Sequence, residues 1–115
     1  MSDLDDLTIA MREFSTQRDW QAFHDPKSLI LALMGEVGEL AELFQWLPAN
    51  DAATLAKSEP LKTRVGEEIS DVLLYLLRLA DVIDLDLAAA ATRKLKLAGQ
   101  RFQIDEFKGS APVKR

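Results

Sequence analysis

The sequence predicts an all-α, four-helix bundle-like protein that assembles with copies of itself, and three observations carry that expectation. Apolar residues recur every three or four positions through long segments, and no stretch of useful length alternates with the two-residue period of a strand. Proline and glycine are scarce, 4 and 5 in 115 residues, so little interrupts those segments. Two of the segments are more apolar than the surface helices of a monomer need to be.

The first helix is expected from about Asp3 to Asp19, where Leu4, Leu7, Met11 and Phe14 form a single apolar stripe. Asp25-Pro26 is a helix start, with Asp as the N-cap and Pro in the first helical position. The second helix runs from Pro26 to about Trp46, with Pro48 just beyond it. Residues 47–59 form a connector in which Asp51–Lys57 has the composition of a short helical turn. Pro60 opens the third long helix, which continues to about Val82. Asp84 or Asp86 caps a fourth helix ending near Phe102. Residues 1–107 thus read as one helical domain, and 108–115, with Gly109, Ser110 and Pro112, as a tail.

From Leu29 to Phe44 the charged residues are Glu36, Glu39 and Glu42, and from Ile69 to Leu79 they are Asp71 and Arg78. In a monomer each helix should show one solvated side. Helices this apolar are expected to face a partner subunit as well, in a homodimer or homotetramer.

The formal net charge of −5 argues against a binder of nucleic-acid polymers or anionic membranes, which would present a basic face. No apolar run is long enough to span a bilayer. The absence of cysteine rules out disulfides and thiolate metal sites. With an N-terminus that lacks the order of a signal peptide, it fits the cytoplasm.

The acidic residues of the second and third long helices form a pattern: Glu36-x-x-Glu39 followed by Glu42, and Glu67-Glu68-x-x-Asp71. Three-residue spacing puts both carboxylates of a pair on one face, about one turn apart. An isolated pair of this kind is most often a solvated face. These pairs lie in the two most apolar helices, where an uncompensated carboxylate is costly. If the helices pack side by side, the carboxylates converge and repel, and a shared cation relieves both problems. Four carboxylates in one site would account for most of the net charge. The donors are all oxygen, so Mg²⁺ fits first and Mn²⁺ next, while zinc is disfavoured. A di-iron centre would need Glu-x-x-His motifs, which this chain lacks. Carboxylate-held Mg²⁺ commonly keeps positions open for substrate phosphates, which points to phosphoryl or nucleotidyl transfer to water.

The run Gly35-Glu36-Val37-Gly38-Glu39-Leu40-Ala41-Glu42-Leu43-Phe44-Gln45-Trp46, followed by Glu67-Glu68-Ile69-Ser70-Asp71-Val72-Leu73-Leu74-Tyr75, resembles the MazG-like all-α nucleoside triphosphate pyrophosphohydrolases. Arg18-Asp19-Trp20 and Phe23-His24 are similar to the dCTP pyrophosphatase branch of that family, and the resemblance covers residues 4–104. It implies hydrolysis of a dNTP to dNMP and pyrophosphate, as nucleotide-pool house-cleaning. It implies metal ligation by Glu36, Glu39, Glu68 and Asp71, and an oligomer whose active sites draw on more than one chain.

Taken alone, Trp20 and Trp46 read as core or interface anchors. The resemblance implies that Trp20, His24 and Trp46 enclose the base. Tyr75 follows Asp71 by four residues, on the same face, where its hydroxyl can bond sugar or phosphate; otherwise it is a core tyrosine. A role for Glu39 or Glu42 in orienting the attacking water completes the catalytic expectation. On the fourth helix Lys94 and Arg101 match basic positions of the family and are expected to offset phosphate charge. Ala98 stands where relatives carry an Asn that positions the nucleotide, and Phe102 where they carry Tyr. Gly35 stands where broader MazG-type motifs have a first Glu. These departures leave room for a modified pyrimidine dNTP, dUTP or a phosphoribosyl nucleotide as substrate. A non-enzymatic helical interaction module is the alternative from a different class.

Overall fold

The computed structural model of the chain describes residues 2–112. Residues 113–115, the end of the expected tail, lie outside the described residues. Among the described residues six α-helices follow in order: α1 (Asp3–Gln17), α2 (Pro26–Phe44), α3 (Ala52–Ala56), α4 (Leu61–Val82), α5 (Leu87–Arg101) and α6 (Ile104–Phe107). A 3-10 turn, Gln21–Phe23, separates α1 from α2, and there is no strand among the described residues. The four long helices expected from the sequence are α1, α2, α4 and α5. The short α6 was not anticipated.

The helix starts are set by local chemistry. Ser2 and Asp5 form a reciprocal capping box at α1. At α2 the Asp25 carboxylate accepts from the Ser28 backbone N–H at 2.9 Å and from the Ser28 hydroxyl at 2.7 Å, with Pro26 at the first helical position. Of the two aspartates proposed as cap for α5, Asp86 does the capping, accepting from the Ala89 N–H at 3.1 Å.

Asp84 instead ends α4, in the left-handed conformation at φ 56°, as Asp19 ends α1 at φ 54°. After α1 the N–H of Asp19 bonds the carbonyl of Thr16, and that of Trp20 bonds the carbonyl of Ser15. This pair of bonds is the Schellman turn. It stops α1 at Gln17 rather than at Asp19, and it turns Trp20 back along the helix.

The chain divides into two compact units, Met1–Asp84 and Leu85–Arg115. In the first, α4 is the central helix: it packs most extensively along α2, and also against α1 and α3. Leu29 of α2, Leu77 and Ala80 of α4 and Ser15 of α1 are buried. The Ser15 hydroxyl is satisfied by the Met11 carbonyl at 2.9 Å. Leu77 is 1% exposed. Replacing it with alanine is expected to cost about 2–5 kcal/mol, read as a lower urea midpoint at unchanged slope. In the second unit, the rings of Phe102 and Phe107 meet edge to face, with centroids 5.2 Å apart.

Ile30, Leu31, Met34 and Val37 of α2 and Ile69 and Leu76 of α4 are exposed in the single chain, as the apolar character of these helices foretold. Among the described residues no helix is long and apolar enough to cross a membrane.

Candidate active site

The packing of α2 on α4 brings the two acidic motifs together. Glu36 and Glu39, one turn apart on α2, and Glu68 of α4 each offer a carboxylate oxygen, and these atoms lie within 4.8 Å of one another. One oxygen of Glu36 and one of Glu68 (Oε2 in each) are buried without a hydrogen-bond partner. A carboxylate only accepts, so neither can satisfy the other unless a proton stands between them. The Glu36 carboxyl is pushed up to about 7, first by burial and then by the charges of Glu39 and Asp71. Glu68 is raised as well, again with burial as the largest cause and Glu39 next. A divalent cation would satisfy the orphaned oxygens and remove the repulsion together. The all-oxygen donor set suits a hard cation.

Asp71, one turn beyond Glu68, stands outside that trio and lines a neighbouring pocket of about 390 Å³. The other walls are Leu7, Ala10, Met11 and Phe14 of α1, Trp20, and Leu74 and Tyr75 of α4. The wall is mostly apolar, with an aspartate and a tyrosine hydroxyl as its polar features. That composition suits a flat organic ring better than a highly charged group.

No protein-family model matches the chain. Among curated proteins, dCTP pyrophosphatase 1 of Bos taurus and of Mus musculus are each 43% identical to it over 108 residues, 94% of this chain. The Homo sapiens protein of the same name is 42% identical over 99 residues. The chain spans 64% of the length of the bovine and mouse proteins and 58% of the human one. Among solved structures, that of a pyrophosphatase from Archaeoglobus fulgidus is 34% identical, with a TM-score of 0.81 over 90% of this chain and 94% of that one. The chain belongs to the MazG-like all-α nucleoside triphosphate pyrophosphohydrolases.

In this MazG-like chain the expected site residues fall into groups. Glu36, Glu39 and Glu68 converge, while Asp71 lines the pocket. Trp20 and Tyr75 line the pocket. The rings of Phe14, Trp20 and His24 form an edge-to-face chain, with centroid separations of 5.6 Å and 6.4 Å. His24 is half-buried, and its Nδ1 accepts a hydrogen bond from Arg78 Nε at 3.0 Å. Glu42 is exposed on α2 and is not in the converging trio. Trp46 stands past the end of α2, 87% exposed, and within the single chain it does not line the Trp20 pocket. Lys94 and Arg101 are exposed on α5, in the second compact unit, where the Arg101 guanidinium lies over the Phe102 ring at 5.1 Å.

Two features escaped the reading of the sequence. The α1 stripe of Leu7, Met11 and Phe14 is a pocket wall as well as a packing face, and helical spacing alone does not separate those roles. Arg78 is buried and bound to His24. Its position as one of two charges in an otherwise apolar stretch was the available signal.

Proposed function

We propose that the protein is a Mg²⁺-dependent nucleoside triphosphate pyrophosphohydrolase that cleaves a dNTP, dCTP or a modified pyrimidine dNTP, to dNMP and pyrophosphate. The observation that carries this reading is the convergence of carboxylates from α2 and α4, two of them with orphaned buried oxygens, next to an apolar pocket. Glu36, Glu39, Glu68 and Asp71 would hold the ion. When bound, the ion supplies positive charge to the phosphates and to the leaving pyrophosphate, with Mn²⁺ as its substitute. Glu39 or Glu42 orients the attacking water. Lys94 and Arg101 offset phosphate charge. Trp20, His24 and Trp46 enclose the base, and the Tyr75 hydroxyl meets sugar or phosphate.

The names of the curated relatives support dCTP as the first substrate to test. Ala98, in place of the family Asn, favours a wider search that includes dUTP and modified pyrimidines. The exposed apolar residues of α2 and α4 support a homodimer or homotetramer, and a cytoplasmic house-cleaning role accords with a chain that contains no cysteine.

The test is a panel of canonical and modified nucleotides at equal concentration with Mg²⁺. Formation of dNMP and pyrophosphate, fastest for a pyrimidine dNTP, is the expected result. Release of inorganic phosphate, or no turnover of any nucleotide, rejects the proposal. In that case a non-enzymatic helical module becomes the better reading.

A further inference from the structure

Arg78 is 5% exposed, on the stretch of α4 that also buries Leu77 and Ala80. An arginine stays protonated at any physiological pH, so its burial must be matched by acceptors. Its NH1 donates to Asp81 Oδ2 at 3.0 Å, and its Nε donates to His24 Nδ1 at 3.0 Å. Asp81 also receives two bonds from Arg12 of α1, at 2.9 Å and 2.6 Å. Among the described residues Asp81 is the carboxylate that pairs with Arg78, and the bond to His24 has a separate consequence.

Guanidinium nitrogens only donate, so the ring nitrogen they meet must carry a lone pair. With Nδ1 engaged in this way, a neutral imidazole carries its proton on Nε2, at the other edge of the ring. The cation also opposes a second ring proton, and burial acts in the same direction more strongly, so His24 lies below the usual imidazole range. Of the charged groups gathered here, Arg78 touches the imidazole, and Asp81 and Arg12 lie behind it. Trp20, against which the imidazole stacks edge-on at 75°, lines the pocket.

We propose that Arg78 is a positioning residue for nucleotide recognition. It holds His24 as a neutral, Nε2-protonated ring beside Trp20. The ring thereby offers the base a single hydrogen-bond donor, to be met by a carbonyl oxygen or an unprotonated ring nitrogen. The inference rests on the reading in which Trp20 and His24 enclose the base.

His24 is the protein's one histidine, so its ring nitrogens give the sole imidazole signals in the magnetic resonance spectrum of ¹⁵N-labelled protein. In the full chain without nucleotide at pH 7, Nε2 should be protonated and Nδ1 bare. Protonation of Nδ1, or a rapid mixture of both tautomers, overturns the proposal whatever the substrate proves to be. In Arg78→Met the ring should take up its second proton at higher pH than in the wild type.

The functional readout is the KM of the best dNTP. It should rise about 5- to 10-fold in Arg78→Met, with kcat changed by less than about twofold. In a His24→Phe background the same substitution should leave KM where His24→Phe alone puts it. An unchanged KM, or the same rise in both backgrounds, makes Arg78 a purely structural residue. Arg78→Lys keeps a charged donor and the pairing with Asp81. It should fall between wild type and Arg78→Met, and it replaces the latter if Arg78→Met does not fold. Absence of all nucleotide turnover would remove the proposed function, while the imidazole spectrum would still decide whether Arg78 holds His24.

Discussion

Replacing Glu68 with alanine is expected to lower Mg²⁺-dependent nucleotide hydrolysis by about 10³-fold or more, with the helical fold retained. Glu68 is the α4 member of the converging trio, and without it Asp71 is the one proposed ligand left on α4. The effect on stability should be small or favourable in the absence of metal. The substitution removes a buried oxygen that has no hydrogen-bond partner, and it removes one charge from a repelling cluster. The measurements are steady-state rates at saturating Mg²⁺, far-ultraviolet circular dichroism, and melting with and without the ion. Activity within about tenfold of the wild type would remove Glu68 from the metal site. A collapse of the helical signal would show instead that the carboxylate is structural.

The second large effect is on stability, and it links pH to metal. The Glu36 carboxyl has an ordinary value of 4.5 and is pushed up to about 7 in the folded chain, with Glu68 raised in the same direction. A group whose pKa is raised on folding favours the fold while it is protonated. That contribution is fully present below 4.5 and is lost as pH rises through about 7. Metal-free protein should therefore melt lower at pH 8 than at pH 5, by about 5 °C. Mg²⁺ prefers the ionised carboxylates, so its stabilisation should run the other way. At roughly ten times its dissociation constant it should raise the melting temperature at pH 8 by about 5 °C or more, and at pH 5 by much less. His24 and Asp81, both lowered on folding, lose their contributions as pH falls, which opposes the trend at the acid end. Glu36→Gln isolates the effect, because it should flatten the loss between pH 5 and pH 8. A wild-type melting temperature indifferent to Mg²⁺ at pH 8 would count against a metal at this site.

Several parts of the structure were legible along the chain. Asp25-Pro26 marks the start of α2 because a side-chain acceptor and a residue without an N–H suit the first turn of any helix. The Glu36/Glu39 and Glu68/Asp71 pairs were legible as faces because residues three apart lie on one side of a helix. The end of α1 was less so. Asp19 continues the local pattern of a helix, yet it adopts the left-handed conformation, and the bonds of the turn that follows decide where the helix stops. The family resemblance, carried by the acidic runs, reached further than spacing, to an expected ligand set and an expected reaction.

The sequence by itself determined the four long helices, the Asp25 cap of α2, the choice of Asp84 or Asp86 as the cap of α5, the apolar character of α2 and α4, and the two acidic pairs, because each depends on spacing within one short stretch. Tertiary structure decided which carboxylates meet. Glu39 joins Glu36 and Glu68 within 4.8 Å, while Asp71 turns to the pocket and Glu42 remains outside the trio. It also made the α1 stripe a pocket wall, and it set a buried arginine of α4 against the histidine that precedes α2. These arrangements depend on the rotation of one helix against another. Many rotations are compatible with the same local spacing, and the packed interior selects among them.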